Sequence, residues 1–261
     1  GLSRIDASTS YTIVSQAPGR DRTFWHHLGA NEFFDGRDLD LTGVDLVHIG
    51  YPNLMAQLYV DDGARLVDLF ARAHELGCTT SVDLAVIDVH EPDRVARWTR
   101  FFDQILPHTD VISPSLEDLA SVLDWPSEAT PAAMAGAAQR LLAWGVGVVL
   151  ITGGVHGLHV ATADEARLSR TGALAPLLSG HGHTTYRQPA LPVAHVAGTT
   201  GAGDVATAGF LSGLLSGVGP AGAAEWAARA AARHVSGDAY STDRPEPFKD
   251  PEPSKDEETA R

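Results

Sequence analysis

The stretch Val146-Gly147-Val148-Val149-Leu150-Ile151-Thr152 is apolar on both faces. A β-strand of that kind is stable only where helices or a second sheet cover both sides of its sheet, which is the situation of parallel sheets joined by helical crossovers. The surrounding sequence supplies such helices. Pro131 to Trp144, stopped by Gly145, reads as the helix before this strand, and Asp61 to Leu76 shows helical spacing through Leu66, Leu69, Phe70 and Ala73, with Gly77 as its C-cap. Glu91 to Leu106 and Leu116 to Leu123 read as two more helices, while Val44 to Ile49, Cys78 to Leu84 and Val111-Ile112 read as strands between them. After short strand candidates at Leu158 to Ala161 and Thr184 to Gln188, two Ala-rich helices follow at Asp204 to Leu215 and Ala221 to Val235. The fold class is therefore α/β, a mainly parallel sheet flanked by helices on both faces.

Two segments stand apart from this alternation. Ser8 to Gln16 and Thr23 to Leu28 read as a β-hairpin turned at Pro18-Gly19-Arg20-Asp21. From Asp243 to Arg261, Pro245, Pro247, Pro251 and Pro253 lie among charges with almost no apolar residue, so a disordered tail is expected there and one domain over 1–242.

Composition narrows the partners. A formal charge of -14 excludes nucleic-acid backbone binding as a function class, because that binding needs a basic face. No run approaches the ~20 apolar residues of a membrane span, and no charged-then-apolar leader opens the chain, so no membrane partner and a cytoplasmic address are expected. Cys78 is the single cysteine and reads as a buried thiol.

The chemistry concentrates in Gly198-Thr199-Thr200-Gly201-Ala202-Gly203-Asp204, which runs into the apolar stretch Val205 to Leu211. Glycines entering a helix make a tight turn whose backbone N–H groups converge at a helix N-terminus, a site that attracts phosphate. An Asp closing such a loop would repel a bound anion, but it makes sense as a base that deprotonates an attacking hydroxyl while the amides hold the charge on a transferring phosphoryl group. Other readings fit less well. Gly201-x-Gly203-x-x-Ala206 matches a dinucleotide fingerprint in form, yet it lies near the C-terminus rather than in a first βα turn, and the acid at the right distance, Glu225, falls inside a helix. The chain has no Gly-Lys-Ser/Thr tripeptide and no Gly-x-Ser-x-Gly elbow. A purely structural turn explains the glycines and leaves Asp204 without a role. His26-His27, His156 with His159, and His181-Gly182-His183 lack zinc-ligand spacing. Asp61-Asp62 reads as a helix N-cap. Asp83 and Asp88, at and beyond a strand C-terminus, are secondary candidates on the ligand-binding side of an open sheet.

Thr199 to Asp204 together with Ala208-Gly209-Phe210-Leu211 resembles the C-terminal motif of the ribokinase-like (PfkB) carbohydrate kinases. Thr152-Gly153-Gly154-Val155-His156-Gly157 resembles that family's Thr-x-Gly-x-x-Gly phosphate turn, and Ser115-Leu116-Glu117-Asp118 stands where it has Asn-x-x-Glu. The hairpin with Arg22-Thr23-Phe24 and Gly29-Ala30-Asn31 is similar to part of its β lid, over 8–31. The resemblance implies an ATP- and Mg2+-dependent phosphotransferase acting on a hydroxyl of a sugar-like small molecule. Asp204 would be the general base, and the amides of Gly201, Ala202 and Gly203 would form the anion hole. Ser115, Thr152, Gly154, Gly157 and Thr200 would contact the nucleotide, Asp118 would hold magnesium through water, and the lid would serve a homodimer. A nucleoside or vitamin-alcohol kinase, or a non-catalytic nucleotide-binding member, is the alternative.

The pattern departs from the family in three places. Gly198 stands where an Asp often contributes to a monovalent-cation site, and Ser115 and Asp118 are shorter than Asn and Glu. The family's first strand with a sugar-binding Asp, and its Gly-Gly-x-x-x-Asn segment, have no counterpart here, so roughly the first quarter of the expected fold is not represented.

Overall fold

The computed structural model describes residues 5–16, 22–87 and 93–238. The expected hairpin turn at Pro18 to Asp21, Asp88, the start of the helix expected from Glu91, and the expected tail all lie outside those residues.

β1 (Tyr11–Gln16) and β2 (Arg22–His27) form a separate antiparallel ribbon. The main sheet has six strands in the order β3 (Leu46–Gly50), β4 (Thr79–Asp83), β5 (Val111–Ile112), β6 (Val148–Thr152), β7 (Leu158–Thr162) and β8 (Thr185–Gln188). β3 to β6 run parallel, and β7 and β8 are added antiparallel. β6 is buried on both faces as its sequence demands. Val149 and Ile151 face one apolar core, and Val148 and Leu150 face the other.

The first core is closed by α2 (Ala64–Glu75), α3 (Arg94–Ile105), α4 (Leu116–Val122) and α5 (Pro131–Ala143), whose Leu66, Phe70, Phe101, Phe102, Leu119 and Leu141 are buried in it. The second is closed by α7 (Ala202–Leu215) and α8 (Gly219–Ser236) through Phe210, Leu214, Ala223 and Ala227. Each large side chain buried in this way contributes about 1.5–3 kcal/mol. Small residues let α7 and α8 approach closely, since a Cβ at Gly213 would lie 2.8 Å from the Ala223 Cα. This geometry fixes the direction in which the N-terminus of α7 points: over the carboxyl ends of the parallel strands, where open α/β sheets bind ligands.

Two short helices, α1 (Ala56–Tyr59) and α6 (Glu165–Leu168), escape a periodicity reading because a single turn carries no period. The sequence reading of Asp61-Asp62 as an N-cap is corrected. Both residues are left-handed at φ 53°, and α2 starts three residues later, after Gly63. Short polar side chains tolerate that conformation. A Cβ at Gly63 would lie 2.8 Å from both the Phe101 ring and the Ile105 side chain, so the chain must unwind there to let α3 pack. Asp62 instead pairs with Arg100 at 3.3 Å.

Candidate active site

Gly201 is the N-cap of α7 at φ 83° and ψ 0°, a left-handed conformation in which an L side chain is strained. Its carbonyl accepts the first helical bond, from Val205 N–H at 3.0 Å. The amides of Gly203 and Asp204 precede that bond and belong to the unpaired N-terminal set of a helix, where the macrodipole places about half a positive charge. The Ala202 N–H is turned back to the Thr199 carbonyl at 3.2 Å. The amide supply at the helix start is therefore centred on Gly203 and Asp204, and the Asp204 amide is one that the sequence reading did not name. From α8, His234 Nε2 meets the Thr200 carbonyl at 2.7 Å and ties the loop down.

Asp204 and Thr207, one helical turn apart, point from α7 toward the ends of β3 and β4. The Thr207 hydroxyl donates to Asp83 Oδ2 at 3.2 Å, and the Leu84 N–H donates to Asp83 Oδ1 at 2.7 Å. The Tyr51 hydroxyl, in the turn after β3, donates to Asp204 Oδ1. Asp83, a secondary candidate from sequence, is thus welded to the loop helix. Burial, and then the charge of Asp118, push the pKa of Asp83 well above the usual carboxylate range.

The two upstream motifs come together. Thr152, the last residue of β6, is bridged in parallel to Ser115, and its N–H donates to the Pro114 carbonyl at 3.1 Å. Beyond Thr152 the chain makes a tight turn, with Gly153 N–H donating to the Gly157 carbonyl at 2.8 Å and His156 N–H to the Gly153 carbonyl at 2.9 Å. Gly157 has φ 82° and ψ -143°, and a Cβ there would run into the Gln188 carbonyl oxygen and stand 2.7 Å from the Ala190 nitrogen. Val155 at the tip is 88% exposed, so the turn presents its backbone to solvent at the same edge of the sheet.

Asp118 has a local partner that the sequence reading passed over. Ser115 is the N-cap of α4, its hydroxyl accepting from the Asp118 N–H at 3.1 Å. In return Asp118 Oδ2 accepts from the Ser115 N–H at 2.7 Å and from the Ser115 hydroxyl at 2.6 Å. This is a capping box, and the Ser-x-x-Asp spacing carried its signal. A carboxylate has lone pairs to spare after two such bonds. Burial pushes the Asp118 carboxyl up to about 6, so its charged form is under-compensated in the protein alone.

The sign of the resulting pH dependence follows. Asp83 and Asp118 hold their protons in the folded protein above the unfolded value of 3.8, so the stability they contribute is full below that value and is lost as pH rises. For Asp118 the loss is complete just above pH 6. Denaturant midpoints measured at pH 5 and pH 7 should fall for the parent, and fall less for Asp118→Asn. Equal falls would show that the Asp118 carboxyl is not strained.

Beside the loop, Pro192, Val193, Ala194, His195, Ala232, Arg233, Ser236 and Asp238 line an open depression of about 430 Å³. It is joined to the glycine loop through the Ala197 N–H, which donates to the Val235 carbonyl at 2.8 Å. No sequence motif marks it, because loop and helix end are joined by folding alone. Among the described residues, no three His, Cys, Asp or Glu side chains form a metal-holding group, and no helix is long and apolar enough to cross a membrane.

The chain matches the pfkB family carbohydrate kinase profile over residues 4–246. It belongs to that family. No curated protein sequence matches it. As a PfkB family chain, it shares its fold with solved structures at low sequence identity. Arabidopsis thaliana ribokinase, solved with ribose and ATP, is 20% identical with a TM-score of 0.60, over 88% of this chain and 64% of that one. Vibrio cholerae O395 fructokinase, with fructose, ADP and calcium, is 19% identical with a TM-score of 0.60, over 89% and 69%. Burkholderia thailandensis nucleoside kinase, with inosine, is 17% identical with a TM-score of 0.57, over 88% and 63%. The chain thus spans about two thirds of the length of these proteins. The expected ribokinase-like α/β sheet with helices on both faces is confirmed.

Proposed function

We propose that this chain carries the nucleotide-binding and catalytic part of an ATP-dependent kinase that phosphorylates a hydroxyl of a sugar or sugar-like molecule, within a domain spanning 1–242. One observation carries this reading. A helix start with unpaired amides presents a carboxylate at the same sheet edge where the Thr152 to Gly157 turn meets Ser115. Asp204 accepts the proton of the attacking hydroxyl, and the amides of Gly201 to Gly203, joined by that of Asp204, stabilise charge on the transferring phosphoryl group. Ala202 contributes once its amide leaves the Thr199 carbonyl. Thr152, Gly154, Gly157, Ser115 and Thr200 line the route of the phosphates, and the depression between Pro192 and Asp238 receives the base.

ATP with magnesium, when bound, supplies the phosphoryl group and neutralises its charge. The donor set fits such an ion: Asp118, Asp83 and Asp204 are hard oxygen groups whose mutual repulsion a cation relieves, and with no three of them tightly grouped the ion would keep waters. Asp118 would hold it through water.

The ribbon β1–β2 completes the proposal as a lid. Tyr11, Ile13 and Trp25 on one of its faces are each more than half exposed, and a two-stranded ribbon is marginal alone. It pairs with a second copy, which light scattering at a dimeric mass checks against a monomeric mass for Trp25→Ser. The function itself is tested by ADP release with ATP, magnesium and in turn ribose, fructose and inosine. Acceptor-dependent release supports it, release with inosine alone moves the acceptor class to nucleosides, and ATP binding with no release under any acceptor reduces the chain to a nucleotide-binding member.

A further inference from the structure

Tyr51 is the residue in the site whose backbone is held against its preference. It sits at φ 66° and ψ 55°, a left-handed conformation that is unfavourable for a non-glycine residue. Such a conformation persists only where neighbours over-determine it, and here they do. The Tyr51 N–H donates to the Asp83 carbonyl at 3.2 Å, and the Leu54 N–H donates to the Tyr51 carbonyl at 2.9 Å. Two residues on, buried Asn53 is locked to the strand end beyond β4, its amide donating to the Ala85 carbonyl at 2.5 Å and its oxygen accepting from the Ala85 N–H at 3.2 Å. The turn is therefore a rigid strap, and it delivers one hydroxyl, from a residue 153 positions away in sequence, onto Asp204 Oδ1.

We propose that Tyr51 is a positioning residue for the Asp204 carboxylate, fixing its rotation so that Oδ2 faces the acceptor hydroxyl; this rests on Asp204 being the general base. A carboxylate at a helix start is otherwise free to turn about its Cβ–Cγ bond. One hydroxyl donating to Oδ1 removes that freedom and leaves the second oxygen for the substrate, and orientation of this kind is worth about tenfold or more in rate. The groups facing the pair are His48 from β3, Asp83 from β4 and Asp118 from α4, none of which donates to Asp204. Burial and the bond to Asp204 hold the Tyr51 phenol well above the ordinary tyrosine range, as a donor kept protonated.

The test is a double-mutant cycle on the purified chain. Tyr51→Phe keeps the ring and the backbone and removes only the donor. It should lower kcat about tenfold with ATP affinity and melting temperature unchanged, and it should have no further effect in an Asp204→Asn background. Equal losses in both backgrounds, no loss in the parent, or a gain in kcat would each overturn the proposal. A second readout needs no turnover: the Tyr51 phenol carbon, followed by 13C NMR to alkaline pH, should ionise at lower pH in Asp204→Asn than in the parent. Identical titrations would overturn the contact itself. If Asp204→Asn keeps full turnover while the two phenol titrations differ, the base assignment has failed and the contact has not.

Discussion

Asp204→Asn should lower kcat by about 10²–10⁴, the usual contribution of a general base, while ATP affinity stays within about twofold. The substitution is nearly isosteric. The Tyr51 hydroxyl can still donate to the amide oxygen, and Thr207 can still hold Asp83, so the loop should keep its shape. What is lost is the capacity to take a proton. In the proposed site the nucleotide is held by backbone amides at the start of α7 and by the Thr152 to Gly157 turn, and the Asp204 carboxylate makes none of the turn's hydrogen bonds. A KM effect without a kcat effect would assign Asp204 to acceptor binding instead.

Gly157→Ala should produce the largest loss of stability of any single methyl in the site. The residue occupies φ 82° and ψ -143°, a region nearly exclusive to glycine, and the added Cβ would meet the Gln188 carbonyl and the Ala190 nitrogen, both backbone atoms that cannot swing aside. Strain alone is on the order of 3 kcal/mol, which for a chain of this size corresponds to roughly 10 °C in melting temperature. The relief available is to open the turn between β6 and β7, where Gly157 both donates to the Gly154 carbonyl and accepts from Gly153 N–H. Nucleotide affinity should therefore fall together with Tm. Unchanged affinity in a destabilised variant would remove this turn from the nucleotide site.

The sequence carried much of the architecture, and the reasons are physical. β6 was readable because burial on both faces leaves an unbroken apolar run, and α7 because the loop before it concentrates glycine, threonine and a single acid. Asp118 was readable as an acid standing where the family has Glu, whereas its burial depends on the fold and its pairing with Ser115 is a local cap that the Ser-x-x-Asp spacing signals. Asp61 and Asp62 misled because acids before an apolar stretch mark a helix start in general, whereas the packing of α3 against Gly63 moved this one. Tyr51 could not be found at all. Its role depends on a left-handed backbone and on a contact that only the pairing of β3 beside β4 creates, and neither leaves a periodic trace. The depression beside α8 was invisible for the same reason.

Asp83 illustrates how the site and the fold share residues. It ends a fully buried strand, yet its side chain is a carboxylate under pressure from burial and from Asp118. Burial favours its protonated form in the resting protein, and a cation bound beside the proposed base would favour its charged form instead.

The most direct measurement follows the label from γ-32P-ATP in the presence of magnesium and a sugar acceptor, with Asp204→Asn run alongside. Label recovered as a phosphate ester of the acceptor with the parent, and all but lost with the variant, is the result expected here. Label recovered only as inorganic phosphate, or transferred equally well by the variant, would contradict the account.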